Sequence, residues 1–283
     1  MGEGEYGKCG VRVNRGGKLY LTVYGLTSAI NIDPIEKKPL YHFLPGTYSL
    51  SIGTVGCNFS CQFCQNWEIS QYPQNNNYQV FGEPVSPQEL VRLAQLYKTA
   101  SISYTYNEPI IFFEFAFDVM KLAKEKGIRN VFVTSGYETE EAIDIALPYL
   151  DAMNIDLKSF SDEFYRKVCG ARLRPVLKTI EYALKKGIWI EITTLLILGY
   201  TAHAYTAYTY KVEASDPFSE HWVYYITLVV SVAQLDRAWV SGTQGRGFKS
   251  PRTRLYPHAG QPIAAVGTGA FFKMVLCPVA YSL

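Results

Sequence analysis

The feature that most constrains the fold is a regular alternation of strands and helices through the middle of the chain. Five strand-like segments are separated by helical ones, and the links between them are short. This alternation predicts parallel strands joined by right-handed crossovers, as in an open α/β sheet or a barrel. The strands are predicted at residues 49–55, 100–109, 129–137, 152–159 and 189–198.

Residues at the ends of the helices mark where these helices begin and end. Ser86 and Pro87 suit the N-cap and first position of a helix, and Glu89 could complete a capping box. Gly127 and Gly187 follow two later helical segments, where glycine typically ends a helix. Before the alternating region, residues 11–25 predict a hairpin that turns at Gly16 and Gly17, and residues 35–46 predict a Pro-rich connector.

The chemically distinctive residues follow the strands. Three cysteines come after the first strand, Asn107-Glu108 after the second and Ser135 after the third, while Asp156 and Lys158 close the fourth. In parallel α/β folds the carboxyl ends of the strands share one rim, where barrel enzymes have their active sites. The sequence therefore predicts one convergent site at that rim.

Composition narrows the class of protein. Among 283 residues, 27 basic and 25 acidic side chains nearly balance, which gives no argument for binding nucleic acid or an acidic membrane. The N-terminus lacks the apolar core of a signal peptide, and the apolar run Trp222–Ala233 is too short to span a bilayer. A cytoplasmic protein with reduced thiols is expected.

The loop after the first strand holds Cys57, Cys61 and Cys64 in the spacing C-x3-C-x2-C. Four interpretations are open: a disulfide, a zinc site, an iron–sulfur cluster, or unconnected thiols. A structural zinc site usually needs four ligands, and only His42 is at hand as a fourth. Three thiolates suit a [4Fe–4S] cluster with one iron left open. The remaining cysteines, Cys9, Cys169 and Cys277, are expected to be buried apolar residues.

Cys57, Cys61, Phe63 and Cys64 resemble the signature of the radical SAM enzymes. In that family the open iron binds S-adenosylmethionine (SAM), and one electron from the cluster cleaves it to a 5′-deoxyadenosyl radical that abstracts hydrogen. The resemblance implies that these three cysteines hold a [4Fe–4S] cluster and that Phe63 lies near the adenine.

The other strand ends resemble the same family. Tyr106-Asn107-Glu108-Pro109 is similar to its Gly-Gly-Glu-Pro segment, with Tyr and Asn in place of the glycines. The resemblance implies that Asn107 and Glu108 lie at the SAM amino group, that Ser135 touches the cofactor, and that Asp156 and Lys158 lie near its ribose and carboxylate. Taken alone, Glu108 could be a residue at a helix N-terminus, and Asp156–Lys158 an ordinary ion pair.

Four longer stretches resemble the AmmeMemoRadiSam branch, which is similar to pyruvate formate-lyase activating enzymes. They are DPIEKKPLYHFLPG, CQNWEISQ, SYTYNEPIIFFEF and NIDLKSFSDEFYRKVCGA. The resemblance covers about residues 7–199, and members usually begin further upstream, so the natural start is expected before Met1. It implies an α/β partial (β/α) barrel of the radical SAM type over 47–199, preceded by the hairpin and connector of 1–46.

The function implied is reductive SAM cleavage and hydrogen abstraction, with a glycyl residue of a partner protein as a possible substrate. A reducing protein such as a flavodoxin or ferredoxin is implied as a partner. The alternative is a truncated, catalytically inactive protein that binds a cluster or metal. The colour of the purified protein separates a brown cluster protein from a colourless zinc protein.

After Gly199 the resemblance ends. Residues 233–238 (AQLDRA) and 247–250 (GFKS) can be written as codons that resemble the D-arm and T-arm of a transfer RNA gene. The hypothesis is that an atypical tail, residues 200–283, is translated from non-coding or misjoined DNA. Its basic residues would otherwise favour a nucleic-acid patch. The loss of a sixth strand would expose an edge of the fifth and favour aggregation.

Overall fold

The computed structural model describes residues 1–195 and, beyond them, the backbone of two short strands, Trp222–Tyr224 and Pro278–Ala280, which pair antiparallel. The central feature is a six-stranded sheet. It consists of β4 (Ala29–Pro34), β5 (Tyr48–Gly53), β7 (Ser101–Tyr104), β8 (Arg129–Thr134), β9 (Ala152–Asp156) and β10 (Trp189–Thr193). Across the sheet the strands lie in the order β10-β9-β8-β7-β5-β4. The first five of these are parallel to one another, and β4 pairs antiparallel with β5 at one edge.

The five parallel strands are the five predicted from the sequence, each shorter than its predicted range. Each consecutive pair is joined by a segment that contains a helix, as parallel neighbours require. Four strands, β5, β7, β8 and β9, are buried along nearly their whole length. The helices are α1 (Trp67–Ser70), α2 (Tyr72–Asn75), α3 (Pro87–Leu96), α4 (Phe113–Glu125), α5 (Glu140–Ala146), α6 (Asp162–Phe164) and α7 (Leu173–Lys185).

The predicted helix ends are largely confirmed. Ser86 caps α3, because its side chain accepts a hydrogen bond from the Glu89 amide at 3.2 Å. The second half of the capping box is not formed, since both carboxylate oxygens of Glu89 bond to Arg92. Gly127 and Gly187 follow α4 and α7 with φ of +70° and +79°. Left-handed backbone of this kind favours glycine.

The N-terminal hairpin is also confirmed. Strand β1 (Arg12–Arg15) pairs antiparallel with β2 (Lys18–Leu21) around Gly16 and Gly17. Two features were not predicted. A short pair is formed by β3 (Leu26–Thr27) and β6 (Glu83–Pro84), and β4 adds an antiparallel edge to the main sheet.

The Pro-rich connector is more than a link. It leaves β4 at one edge of the sheet and crosses to β8, β9 and β10 at the other. Ile35 and Leu40 are fully buried against Val131 and Ala152. The Asn154 side chain donates to the carbonyl of Pro39 at 3.1 Å. The sheet is an open, mainly parallel partial barrel, and the connector packs against its strands β8, β9 and β10.

Glu191 on β10 fastens the connector. This side chain is 2% exposed, and its carboxylate accepts the backbone amides of Tyr41, His42 and Phe43 at 2.7–3.0 Å. It also accepts the indole N–H of Trp189 at 3.1 Å. One buried carboxylate therefore satisfies four donors, three of which lie about 150 residues earlier in the chain.

Glu191→Gln is expected to lower the free energy of unfolding by about 2–3 kcal/mol, because an amide N–H₂ would face donors that need an acceptor. Glu125→Gln, at an exposed position on α4, is the matched control and should change stability by less than about 0.5 kcal/mol. Urea unfolding followed by circular dichroism measures both. Equal stability of the two variants would contradict the role given to Glu191.

Strand β10 is an edge strand within the described part of the chain. The prediction of an exposed edge therefore concerns a side of β10 whose neighbours would come from residues that are not described. The tail segments that resemble a transfer RNA gene, 233–238 and 247–250, also fall outside the described residues. No helix within residues 1–195 has the length and apolar character needed to cross a membrane.

Candidate functional site

A cavity of about 500 Å³ opens at the carboxyl ends of the parallel strands. Its volume lies in the range of typical small-molecule sites. Eight of the nine predicted site residues line it: Cys57, Cys61, Phe63, Cys64, Asn107, Ser135, Asp156 and Lys158. The connector contributes Lys38 and Tyr41 to the same wall. The residues predicted at the strand ends therefore line one cavity, and the connector, which was not expected to contribute, forms part of its wall.

The three thiols of the loop differ in their surroundings. Cys57 is 9% exposed and its sulfur accepts the Phe59 amide at 3.4 Å, whereas Cys61 and Cys64 are partly exposed. The Cys64 sulfur lies 3.3 Å from the Ser70 hydroxyl. Burial, followed by the charge of Glu108, raises the pKa of Cys57, and burial also raises the pKa of Cys64. A positively charged ion would be needed to hold both as thiolates.

Cys61 has a fourth cysteine beside it. The Cys169 thiol donates a hydrogen bond to Cys61, which lowers the pKa of Cys61 and raises that of Cys169. Cys169 was expected to be an inert apolar residue, and the contact with Cys61 corrects that expectation. Cys9 is buried in the core as predicted, and Cys277 falls outside the described residues. All five described cysteines are free thiols.

Backbone hydrogen bonds hold the cysteine loop in place. The amides of Ser60 and Gln62, on either side of Cys61, donate to the carbonyls of Cys169 and Val168 at 2.9 and 3.0 Å. These carbonyls belong to a π-helical turn, Tyr165–Cys169, that continues α6. Turns of this kind are frequent at functional sites.

Asn107 supports the loop from the neighbouring strand. Its amide group donates to the Thr54 hydroxyl at 2.9 Å and to the Gly56 carbonyl at 3.0 Å, and its oxygen accepts the Thr54 amide. These bonds all go to the start of the cysteine loop. The side chain thus ties the end of β7 to the loop, while its contact with a cofactor stays a prediction.

Tyr106 precedes Asn107 and has φ of +71°, a left-handed conformation that is uncommon for tyrosine. Its hydroxyl donates to Asp33 at 2.8 Å and accepts from Asn31 at 3.0 Å. Glycine adopts this conformation without a steric cost, which is consistent with the glycine found here in the Gly-Gly-Glu-Pro segment that this stretch resembles. Here the hydrogen bonds to β4 offset part of the backbone cost of roughly 1–2 kcal/mol.

Glu108 is the one predicted site residue that does not line the cavity. It is fully buried and points to the end of β8, where it accepts the Thr134 hydroxyl at 2.7 Å and the Ser135 amide at 2.8 Å. Burial raises the pKa of Glu108 despite these hydrogen bonds. The carboxylate therefore lies directly behind a wall of the cavity formed by Thr134 and Ser135.

Asp156 and Lys158 form an ion pair of 3.1 Å at the end of β9. Burial acts to lower the pKa of Lys158, but the charges of Asp156 and Cys61 outweigh it and raise the pKa. The ammonium of Lys158 lies 6.0 Å from the centre of the Phe63 ring. One cation therefore lies between the carboxylate of Asp156 and the cysteine loop.

Within the described part of the chain, no three His, Cys, Asp or Glu side chains gather around one metal position. The donor set still fits a cluster, since three thiols share one cavity and each of their sulfurs is within hydrogen-bonding reach of another group. Hydrogen bonds to the sulfurs are among the features that set cluster potentials.

Comparison with known proteins shows the family to which the chain belongs. The family model of the radical SAM superfamily matches residues 51–207. The uncharacterized protein MJ0808 of Methanocaldococcus jannaschii is 48% identical over 198 residues, which are 70% of this chain and 58% of that protein. The chain belongs to the radical SAM superfamily. The family match extends eight residues beyond Gly199, where the resemblance was expected to end.

More distant relatives include two activating enzymes. The 4-hydroxyphenylacetate decarboxylase activating enzyme of Clostridium scatologenes is 26% identical, over 53% of this chain and 50% of that protein. The pyruvate formate-lyase-activating enzyme of Clostridium pasteurianum is 27% identical, over 48% and 57%. The chain spans between 50% and 58% of the length of these three relatives. Among solved structures, TYW1 with a lysine-pyruvate adduct bound is similar at a TM-score of 0.42, with 18% identity, 65% of this chain and 66% of that one covered.

Glu138 is a further notable residue that the sequence did not single out. It is buried at the end of the β8 loop and lies 2.5 Å from the hydroxyl of Thr134. The segment SGYETE gives no periodic or motif signal for a buried acid, because Glu138 is followed by the N-cap Thr139 and two exposed glutamates of α5. Only the fold places its carboxyl group next to Glu108.

Proposed function

We propose that this protein binds a [4Fe–4S] cluster through Cys57, Cys61 and Cys64 and cleaves SAM reductively in the adjoining cavity. The observation that carries the proposal is the convergence of these three thiols with Phe63, Ser135, Asp156 and Lys158 on one cavity in a radical SAM chain. A bound cluster of this type would supply the electron that splits the SAM sulfonium to a 5′-deoxyadenosyl radical.

The residues of the cavity offer complementary groups for the parts of SAM. Lys158 provides a cation for the methionine carboxylate, and Asp156, which is partly exposed, can accept a ribose hydroxyl. The Phe63 ring offers an apolar face for the adenine. Glu108 provides negative charge for the methionine ammonium from behind Thr134 and Ser135.

The substrate proposed is a protein, with a glycyl residue as the hydrogen donor. This part of the proposal is supported by the names of two relatives, which are activating enzymes for a decarboxylase and for pyruvate formate-lyase. A flavodoxin or ferredoxin is the proposed reductant. Leu195, the last of the continuously described residues, is among those that line the cavity.

The experiment is reductive SAM cleavage by the full chain. After anaerobic reconstitution with iron and sulfide, SAM and dithionite are added and 5′-deoxyadenosine is measured by liquid chromatography. We expect product in the native protein and loss of at least about 100-fold in Cys61→Ala. A brown protein that forms no product would overturn the proposed activity and favour an inactive cluster-binding protein.

A further inference from the structure

A pair of buried acids lies behind the cavity wall. The Thr134 hydroxyl is 2.7 Å from Oε1 of Glu108 and 2.5 Å from Oε1 of Glu138. The two carboxyl groups thus share one hydroxyl. The second oxygen of Glu138, Oε2, is buried and has no hydrogen-bond partner among the described residues.

Counting protons on this hydroxyl shows that one acid is neutral. Thr134 has a single O–H to donate, and its oxygen also accepts the Gly136 amide at 3.0 Å. It can donate to only one of two carboxylates. The other must itself carry a proton and donate to the Thr134 oxygen, because two ionised oxygens cannot both lie within hydrogen-bonding distance of one hydroxyl proton without repulsion.

The surrounding donors place that proton on Glu138. Glu108 accepts the Ser135 amide as well as the Thr134 hydroxyl, and both bonds favour its ionised form. Burial, followed by the charge of Glu108, raises the pKa of Glu138 to about 8. The chain of hydrogen bonds therefore runs from protonated Glu138 through Thr134 to ionised Glu108.

Few other charges face this pair. The charge of Glu108, which follows β7, contributes to the raised pKa of Glu138. The same charge contributes to the raised pKa of Cys57 in the cysteine loop. Helix α7 contributes only the Thr179 hydroxyl, which donates to the Glu138 carbonyl. No ion pair of residues 1–195 includes Glu108 or Glu138, so no side-chain cation of these residues neutralises the pair by direct contact.

We propose that Glu138 is a positioning residue whose proton is released when a cationic ligand binds next to Glu108. Resting on the proposed function, the ligand is the ammonium of SAM. Before binding, the pair carries one negative charge, so the buried site avoids the cost of two. When the ammonium is present, the second carboxylate becomes favourable, and binding is coupled to loss of a proton to solvent.

The test is isothermal titration calorimetry of SAM into the reconstituted full chain near neutral pH, in buffers of different ionisation enthalpy. We expect the native protein to release a large fraction of one proton per SAM, since Glu138 starts mostly protonated. Glu138→Gln should bind SAM with no buffer-dependent heat. Glu140→Gln, at an exposed neighbouring position, is the matched control and should release protons as the native protein does.

A second measurement needs neither cluster nor SAM. The infrared carbonyl band of a buried carboxylic acid should be present at neutral pH, vanish as the pH rises past about 9, and be absent in Glu138→Gln. Binding without proton release, or release that persists in Glu138→Gln, would overturn the inference, as would a missing band. If the infrared band is present but SAM gives no heat of binding, Glu138 is protonated as inferred and the proposed SAM site is wrong.

Discussion

Cys61→Ala is expected to lose most of its bound iron and sulfide and the brown colour of the reconstituted protein. Each of the three thiols would hold a different iron, so two cysteines cannot retain the cluster that three do. Changes to residues that only support metal ligands already cost 10–100-fold, and removal of a ligand should cost more than about 100-fold. Iron and sulfide analysis together with the visible absorption spectrum measure the loss.

Cys9→Ala is the matched control for this prediction. Cys9 is 6% exposed and lies in the same core as the loop, so its replacement costs packing but removes no proposed ligand. The variant should bind iron and sulfide at the native ratio. Native iron content in Cys61→Ala, or equal loss in both variants, would contradict the assignment of the cluster to the three-cysteine loop.

Gly56→Ala is expected to destabilise the protein by about 2–5 kcal/mol, the sum of a backbone cost and a packing cost. Gly56 has φ of +92°, which costs a residue with a side chain roughly 1–2 kcal/mol. A Cβ at this position would also lie 2.5 Å from the Cys9 carbonyl oxygen and 2.8 Å from Val11, and such overpacking costs about 1–3 kcal/mol. Thermal or urea unfolding of the cluster-free protein measures the change.

Gly127→Ala isolates the first of these costs. Gly127 has φ of +70°, but a Cβ there meets no atom within 4 Å. The free energy of unfolding of Gly127→Ala should fall by about 1–2 kcal/mol, which corresponds to a drop of about 2–8 °C in Tm for a folded unit of this size. If both variants lost the same stability, the close approach of the cysteine loop to the Cys9 backbone would not be a real constraint.

The arrangement of the site at the strand ends could be predicted because two local signals agreed. Alternating strands and helices fix the direction of parallel strands, and that direction gathers their carboxyl ends at one rim. Cys57, Ser135 and Asp156 follow or end three such strands. No side-chain geometry was needed to bring them together, only the periodicity of the chain.

The position of Glu108 could be predicted only in part. Its place after β7 follows from the alternation, but the direction of its side chain depends on Thr134 and Ser135, which belong to another strand. Glu138 depends even more on the fold, since nothing local marks it as buried. The role of Cys169 likewise follows from two hydrogen bonds between segments about 110 residues apart.

The position of the connector could not be predicted from local sequence patterns, because it depends on contacts between distant parts of the chain. Prolines predicted a link, and the link exists, but its position across the sheet depends on Glu191, about 150 residues away. Strand β4 was missed for a similar reason. Its residues Asn31 and Ile32 are exposed and show no clear alternation, and the strand forms because β5 offers it an edge.

The most direct test of the central claim is electron paramagnetic resonance of the reconstituted protein, reduced anaerobically with dithionite, before and after SAM is added. Three protein thiolates predict a cluster with one open iron, so SAM should change the spectrum of the reduced cluster. The same change should be absent when buffer without SAM is added. A cluster spectrum that SAM leaves unaltered would contradict the account, because it would mean that no iron is open to the cofactor.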